Sequence, residues 1–204
     1  NSIILSIGGG VVGDVSSFAA ALYMRGTFYF HVPSTMTSIL DSCIGGKTAI
    51  NYDNKINLLG TYYHPFRVYI SHEILKYIPE REYRSGFAEA IKCGIIDNKQ
   101  ILRILNNDFL KIQNREFKVL KEISLKVLKS KIKFFINDVR EKKKRLCLNF
   151  GHTFAHAVEM AGSLKNKYQI NHGEAVALGI ICEMKYANTN AKFINYILNI
   201  INKY

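Results

Sequence analysis

"SIILSIGGGVVGDVSSFAAALYM", Ser2 to Met24, decides the fold. It opens with a short apolar run rich in β-branched side chains that stops at three successive glycines, and the residues after them carry apolar side chains at helical spacing. The stretch therefore reads as strand, glycine turn, helix. A glycine turn at a helix start lets backbone N–H groups approach a pyrophosphate, and the helix dipole favours negative charge there. The glycines of "GGGVVGD" are not in the order G-x-G-x-x-G, so a plain tight turn stays open as an alternative, and Asp14 reads equally well as a helix cap.

Working outward, "TFYFHVP" and "FRVYIS" read as two more strands, the first ended by Pro33. Between them "STMTSILDSC" looks helical and "IGGKTAINYDNKINLLGTYYHP" looks like a long loop. Such alternation predicts an α/β unit with parallel strands. From His72 onward only helical periodicity is found, in six stretches from "EREYRSGFAEAIKCGII" to "KFINYILNIINKY". The expected fold is a partial, Rossmann-like α/β nucleotide-binding domain over residues 1–71, followed by an all-helical metal- and substrate-binding domain over 72–204, truncated at its C-terminus. Three strands are too few for a doubly wound sheet, which points to a piece of something longer.

With 204 residues, 48% of them hydrophobic, the chain can bury a real core. Its 28 basic and 16 acidic residues give +12, which favours anionic partners from small phosphorylated acids to nucleic acid. Aromatic residues interleaved with basic ones are missing, which argues against nucleic acid, and "REKKKR" from Arg140 to Arg145 reads as a solvated loop. No apolar run of about 18 residues and no basic leader occurs, so neither a membrane span nor a secretion signal is expected, and the compartment reads as cytoplasmic. Cys43, Cys93, Cys147 and Cys182 lie far apart beside apolar residues, as reduced core thiols do.

The chemistry concentrates in three helices. In "LNFGHTFAHAVE", His152 and His156 stand at i and i+4 and could meet one ion or one substrate, though core or surface histidines would show the same spacing. His172 precedes the helix of "HGEAVALG", and "GFAEAIKCG" puts Glu89 and Lys92 at i and i+3 among small or apolar residues. A buried carboxylate needs a partner, and a divalent cation would serve. One carboxylate and two imidazoles with an open fourth position form a catalytic zinc set, leaving the third histidine for proton transfer or for holding an anion. "DSCIGGKTAI" adds Asp41, Gly45, Gly46 and Lys47; it is not a P-loop, yet it suits a polar anionic ligand. Arg25 of "YMRG", with Arg145 and Asn149 four residues apart, supplies further cationic and amide donors.

Taken in order, "GGGVVGD", "YMRG", "DSCIGGKTAI", "PEREYRSGFAEAIK", "REKKKRLCLNFGHTFAHAVE" and "HGEAVALG" resemble the 3-dehydroquinate synthase family, from about Ile3 to about Glu183. The resemblance implies that Glu89, His152 and His172 hold zinc (or Co2+), and that Gly8, Gly9, Gly10, Asp14, Ser34 and Thr35 face NAD. It also implies that Arg25, Asp41, Lys47, Asn57, Lys92, Lys131, Arg145 and Asn149 contact the substrate, with Lys131 among the catalytic residues. His156 would then lie beside the reacting phosphate, and Glu141 would be the acid/base. The implied substrate is a small anionic sugar-acid phosphate, 3-deoxy-D-arabino-heptulosonate 7-phosphate; oxidation by bound NAD, phosphate elimination, return of hydride, ring opening and aldol closure would follow. A homodimer is a family expectation. Departures are Ile56, where a cofactor-contacting lysine is expected, Tyr77 in place of a threonine, and a longer segment between His156 and His172. Related metal- and NAD-dependent alcohol or glycerol dehydrogenases, or another sugar phosphate cyclase, are the rival expectation; the dehydrogenases lack "GGKT" and the Arg25, Lys131, Arg145 set. A non-catalytic remnant of the fold is a third.

Overall fold

The structure is a computed structural model that describes residues 2–53, 55–165 and 170–204. The Ile56 side chain and part of the segment between His156 and His172 lie outside the described residues.

The first part runs β1 (Ile4–Gly8), α1 (Gly10–Leu22), β2 (Tyr29–Pro33), a π-helical turn (Ser38–Ser42), β3 (Lys47–Tyr52), β4 (Lys55–Tyr62) and β5 (Arg67–Val68). β1, β2 and β5 form a parallel sheet in that order, in register from Ile4 opposite Tyr29 to Gly8 opposite Pro33. The α/β expectation thus holds with a very short third strand. Alternation along β1 and β2 buries Ser6 and His31, and the imidazole Nδ1 lies 3.1 Å from Ser6 Oγ. Gly13 of α1 seats directly on this ring, since a Cβ there would sit 3.1 Å from His31 Cε1. The opposite sheet face leaves Leu5 and Ile7 exposed, so this part contributes little to the core.

The stretch from Lys47 to Tyr62 is not a loop, as its glycines and turn residues suggest, but an antiparallel hairpin of β3 and β4. Gly60 lies inside β4 because a Cβ there would collide with the Thr48 carbonyl oxygen across the pair.

After a 3-10 turn (His72–Tyr77) come α2 (Glu80–Ser85), α3 (Phe87–Ile96), α4 (Lys99–Asn107), α5 (Phe109–Gln113), α6 (Phe117–Phe135), a second 3-10 turn (Lys144–Asn149), α7 (His152–Lys165), α8 (His172–Tyr186) and α9 (Ala191–Ile201). No strand follows β5 among the described residues. α2 and α3 are one periodic stretch in sequence, interrupted at Gly86, whose Cα lies against the Met36 backbone with no room for a side chain. α8 starts with a capping box: Asn171 Oδ1 accepts from Glu174 N–H at 2.9 Å, and the Glu174 carboxylate accepts from Asn171 N–H at 3.0 Å. That box fixes the turn on which His172 sits.

The core lies among the helices, where Leu75, Phe87, Leu105, Ile123 and Ile180 are fully buried. Each such side chain contributes roughly 1.5–3 kcal/mol. Met36, Ile39 and Leu40 enter the same core from the π-helical turn, which anchors the α/β part to the helical part at the residue before Asp41. Two of the four cysteines correct the core expectation: Cys43 and Cys93 are buried, but Cys147 and Cys182 are exposed because their helical positions turn outward.

α7 and α8 pack with almost no gap where Gly179 meets the Gly151 carbonyl oxygen. A methyl at Gly179 has nowhere to go, so Gly179→Ala is expected to lower stability by about 1–3 kcal/mol in urea unfolding; a neutral result would show that the two helices separate freely.

Candidate metal and anion site

Glu89 and Lys92 sit one turn apart on α3, both essentially inaccessible to solvent. Lys92 Nζ is 2.6 Å from Glu89 Oε2, and Glu89 Oε1 has no hydrogen-bond partner among the described residues. Burial, joined by the negative charge of Asp41, pushes the Glu89 carboxyl above the usual range.

His152 opens α7 directly after Gly151, whose φ of 85° turns the chain into the helix. Its Nε2 is 3.7 Å from Glu89 Oε1, and Nδ1 is 3.4 Å from the Phe150 carbonyl oxygen. Burial, then the nearby Lys92 ammonium, pushes its pKa down to about 3, so at neutral pH the ring is uncharged, the form that ligates metals. His172 opens α8, and its Nδ1 lies 3.1 Å from Glu159 Oε1, a hydrogen bond that raises the pKa of the ring. One candidate ligand atom from each of Glu89, His152 and His172 falls within 4.8 Å of the others. A buried carboxylate with an unpartnered oxygen beside two imidazoles suits a divalent ion such as zinc.

Asp41, on the π-helical turn, forms an ion pair with Lys131 of α6, whose ammonium also donates to the Asp41 carbonyl oxygen at 3.0 Å. Burial opposes ionisation of Asp41, but Lys131 and then Lys92 outweigh it and hold the carboxyl well below its ordinary range. For Lys131 burial likewise works against the charge, and Asp41 and Glu89 more than compensate.

The glycine turn lies at the start of α1, which has no side-chain cap. Ser34 N–H donates to the Gly8 carbonyl at 2.9 Å, and Thr35 Cγ2 comes within 3.1 Å of where a Gly9 Cβ would stand. The structure therefore brings Gly8, Gly9, Ser34 and Thr35 together, with Gly10 as the first helical residue. Asp14 follows one turn later; burial, then repulsion from Asp41, pushes its carboxyl up to about 6. Its carbonyl accepts from Thr48 Oγ1 at 2.8 Å, tying the β3–β4 hairpin to α1.

On the hairpin side, Lys47 forms an ion pair with Glu141. Arg145 is buried, donates from Nη1 to the Val139 carbonyl at 2.6 Å, and leaves Nε without a partner. The Asp138 carboxylate organises this basic loop by accepting backbone N–H groups from Lys142, Lys143 and Arg145 at 2.8, 2.7 and 3.0 Å.

Four expected residues stand apart. Arg25 is exposed beyond the far end of α1, Asn57 is exposed in β4, and Asn149 is exposed at the end of its 3-10 turn. His156 is exposed one turn from His152, with ring centroids 5.8 Å apart. None of these four side chains has a hydrogen bond or ion pair to the cluster among the described residues. Tyr77 is exposed as well. Sequence reasoning passed over Glu159, Thr48 and Asp138; only Glu159 had a usable signal, an acid three residues after His156 and seven after His152 on the same helix stripe.

The fold, a partial parallel α/β layer joined to a helical part, is shared with several solved structures. One of 2-deoxy-scyllo-inosose synthase matches with a TM-score of 0.83 and 31% identity over 98% of this chain and 57% of that one. A 2-epi-5-epi-valiolone synthase from Streptomyces hygroscopicus subsp. jinggangensis 5008, described with NAD+ and Zn2+ bound, shares the fold with a TM-score of 0.89 at 24% identity, covering 99% of this chain and 57% of that one. Residues 1–85 match the family described as 3-dehydroquinate synthase N-terminal and residues 86–203 its C-terminal counterpart. The chain belongs to the 3-dehydroquinate synthase family. The 3-dehydroquinate synthase of Dictyoglomus thermophilum is 45% identical over 88% of this chain and 50% of its own length, and that of Synechocystis sp. 40% identical over 92% and 52%. The chain thus spans about half the length of the curated relatives it matches.

Asp14 supplies a pH prediction. Its folded pKa of about 6 lies above the ordinary 3.8, so its contribution to stability is fully present at pH below the unfolded value and is lost as pH rises through about 6. Asp14→Asn should exceed the parent in urea stability near pH 8, with the difference shrinking toward pH 4; a gap that does not change with pH would contradict the burial of this carboxyl.

Proposed function

We propose that this chain supplies the metal- and substrate-binding part of a 3-dehydroquinate synthase, a lyase that converts 3-deoxy-D-arabino-heptulosonate 7-phosphate to 3-dehydroquinate and phosphate in the shikimate pathway, using NAD and zinc or cobalt. The observation that carries it is the convergence of Glu89, His152 and His172, with Glu89 Oε1 lacking a hydrogen-bond partner, in a member of this family. A solved 2-deoxy-scyllo-inosose synthase, 31% identical, is described as complexed with carbaglucose-6-phosphate, NAD+ and Co2+, which supports the same pairing of cofactors here.

Glu89, His152 and His172 would hold the metal, while Gly8, Gly9, Gly10, Asp14, Ser34 and Thr35 would line the dinucleotide side. When bound, the metal supplies Lewis-acid polarisation of substrate oxygens and NAD a reversible hydride acceptor. The remaining work is done by charges already in place. Lys47 and Lys131 are each engaged by a carboxylate, Glu141 and Asp41 respectively, and an incoming phosphate or carboxylate competes for these ammonium groups. Transfer of Lys47 to the substrate frees Glu141 to move a proton as acid/base. Arg145, buried with an unused Nε, offers a rigid donor fork for an anionic group. The family resemblance assigns His156, one turn from His152, a place beside the leaving phosphate, and Lys92, Asn57, Asn149 and Arg25 substrate contacts, although Arg25, Asn57, Asn149 and His156 are exposed and apart from the cluster here. Organisation into an α/β part over 1–71 and a helical part over 72–204, assembly as a homodimer and a cytoplasmic setting belong to the same proposal. No helix of the described residues is long and apolar enough to cross a membrane.

Full-length protein with zinc and NAD should release phosphate from the heptulosonate phosphate and form dehydroquinate. His152→Ala should reduce this to background, and Arg145→Ala should lower kcat/KM about 10- to 100-fold, the worth of one charged hydrogen bond. No dehydroquinate, or net NADH formation from glycerol, would overturn the proposal.

A further inference from the structure

Of the two imidazoles in the cluster, only one is tied to a charged group through its other nitrogen. His152 Nδ1 has just a long contact of 3.4 Å to a carbonyl, whereas His172 Nδ1 lies 3.1 Å from the Glu159 carboxylate. An ionised carboxylate can only accept, so the neutral His172 ring carries its proton on Nδ1 and its lone pair on Nε2.

Glu159 is on α7 and His172 on α8, thirteen residues apart in sequence, and the bond bridges the two helices. Both side chains are partly exposed, at 23% and 37%, and as a stabilising ion pair such a contact is worth only about 0–1 kcal/mol. Its position, against one of three converging candidate ligands, gives it a different use. Glu159 itself is not among the three residues whose ligand atoms converge.

We propose that Glu159 is a positioning residue for the metal centre: its carboxylate holds the His172 ring in the tautomer and orientation that present Nε2 to the ion, and makes that nitrogen a stronger donor. The inference rests on the reading of Glu89, His152 and His172 as metal ligands. Carboxylates placed behind a ligating histidine typically account for 10- to 100-fold in metal affinity.

The test uses full-length protein, stripped of metal and titrated with zinc against a chromophoric chelator. Glu159→Gln, which keeps an acceptor but loses the charge, should weaken zinc binding about tenfold, and Glu159→Ala about 100-fold. The unfolding midpoint of the metal-free protein should hardly change in either variant, which separates positioning from a structural role. Unchanged zinc affinity in Glu159→Ala overturns the proposal, as does a loss equal to that of His172→Ala, which would make Glu159 a ligand. If Glu159→Ala fails to fold, Glu159→Gln alone decides, and wild-type affinity in it counts against the proposal. Failure of the parent protein to bind zinc would instead remove the underlying metal reading.

Discussion

Everything in the helical part is arranged around a carboxylate that should not be comfortable where it is. Glu89 is fully buried, its Oε2 is 2.6 Å from the Lys92 ammonium, and its Oε1 has no hydrogen-bond partner among the described residues. A buried carboxylate with one oxygen left without a partner keeps part of the desolvation cost that burial imposes on a charge. The surrounding charges do not remove the difficulty: Asp41 claims Lys131, which leaves Lys92 as the cation in contact with Glu89. Two carboxylates and two ammonium groups balance, and the His152 imidazole is held neutral. A divalent ion would satisfy the unpartnered oxygen and turn a neutral cluster positive, which favours anionic groups beside it.

The fold holds this cluster together from three directions. α3 contributes Glu89 from the centre of the core, while α7 and α8 each contribute a histidine from their first turn, where a capping box and a glycine contact fix the backbone. The third direction is the π-helical turn, whose Met36, Ile39 and Leu40 neighbours lock it into the helical core while Asp41 reaches Lys131. Through Asp41 the electrostatics extend to Asp14 and thus to the glycine turn. The glycine turn and the Glu89, His152, His172 cluster are therefore parts of one charged system.

Much of this was legible in the sequence, for reasons that can be named. The run ending at Gly8 and the helix after it obey simple periodicities, and so do the parallel strand around His31 and the helices beyond His72. The β3–β4 hairpin was not legible. Its glycines resemble loop punctuation, and Gly60 is inside a strand only because a neighbouring strand leaves no space, which is a tertiary fact. The four-residue spacing of His152 and His156 suggested a shared ligand, but local geometry alone could not choose between either of them and His172; the fold brings His172 in from the next helix and leaves His156 exposed. Glu159 was passed over: its place on the His152 and His156 stripe was visible, but its partner His172 lies on the next helix. Cys147 and Cys182 misled because apolar neighbours in sequence do not guarantee an inward-facing turn.

The most direct test is the X-ray absorption fine structure at the metal edge of zinc-loaded full-length protein. Convergence of Glu89, His152 and His172 predicts only nitrogen and oxygen ligands, at about 2.0–2.2 Å, with the outer-shell pattern of two imidazoles. Sulfur at about 2.3 Å, or an imidazole count other than two, would contradict it.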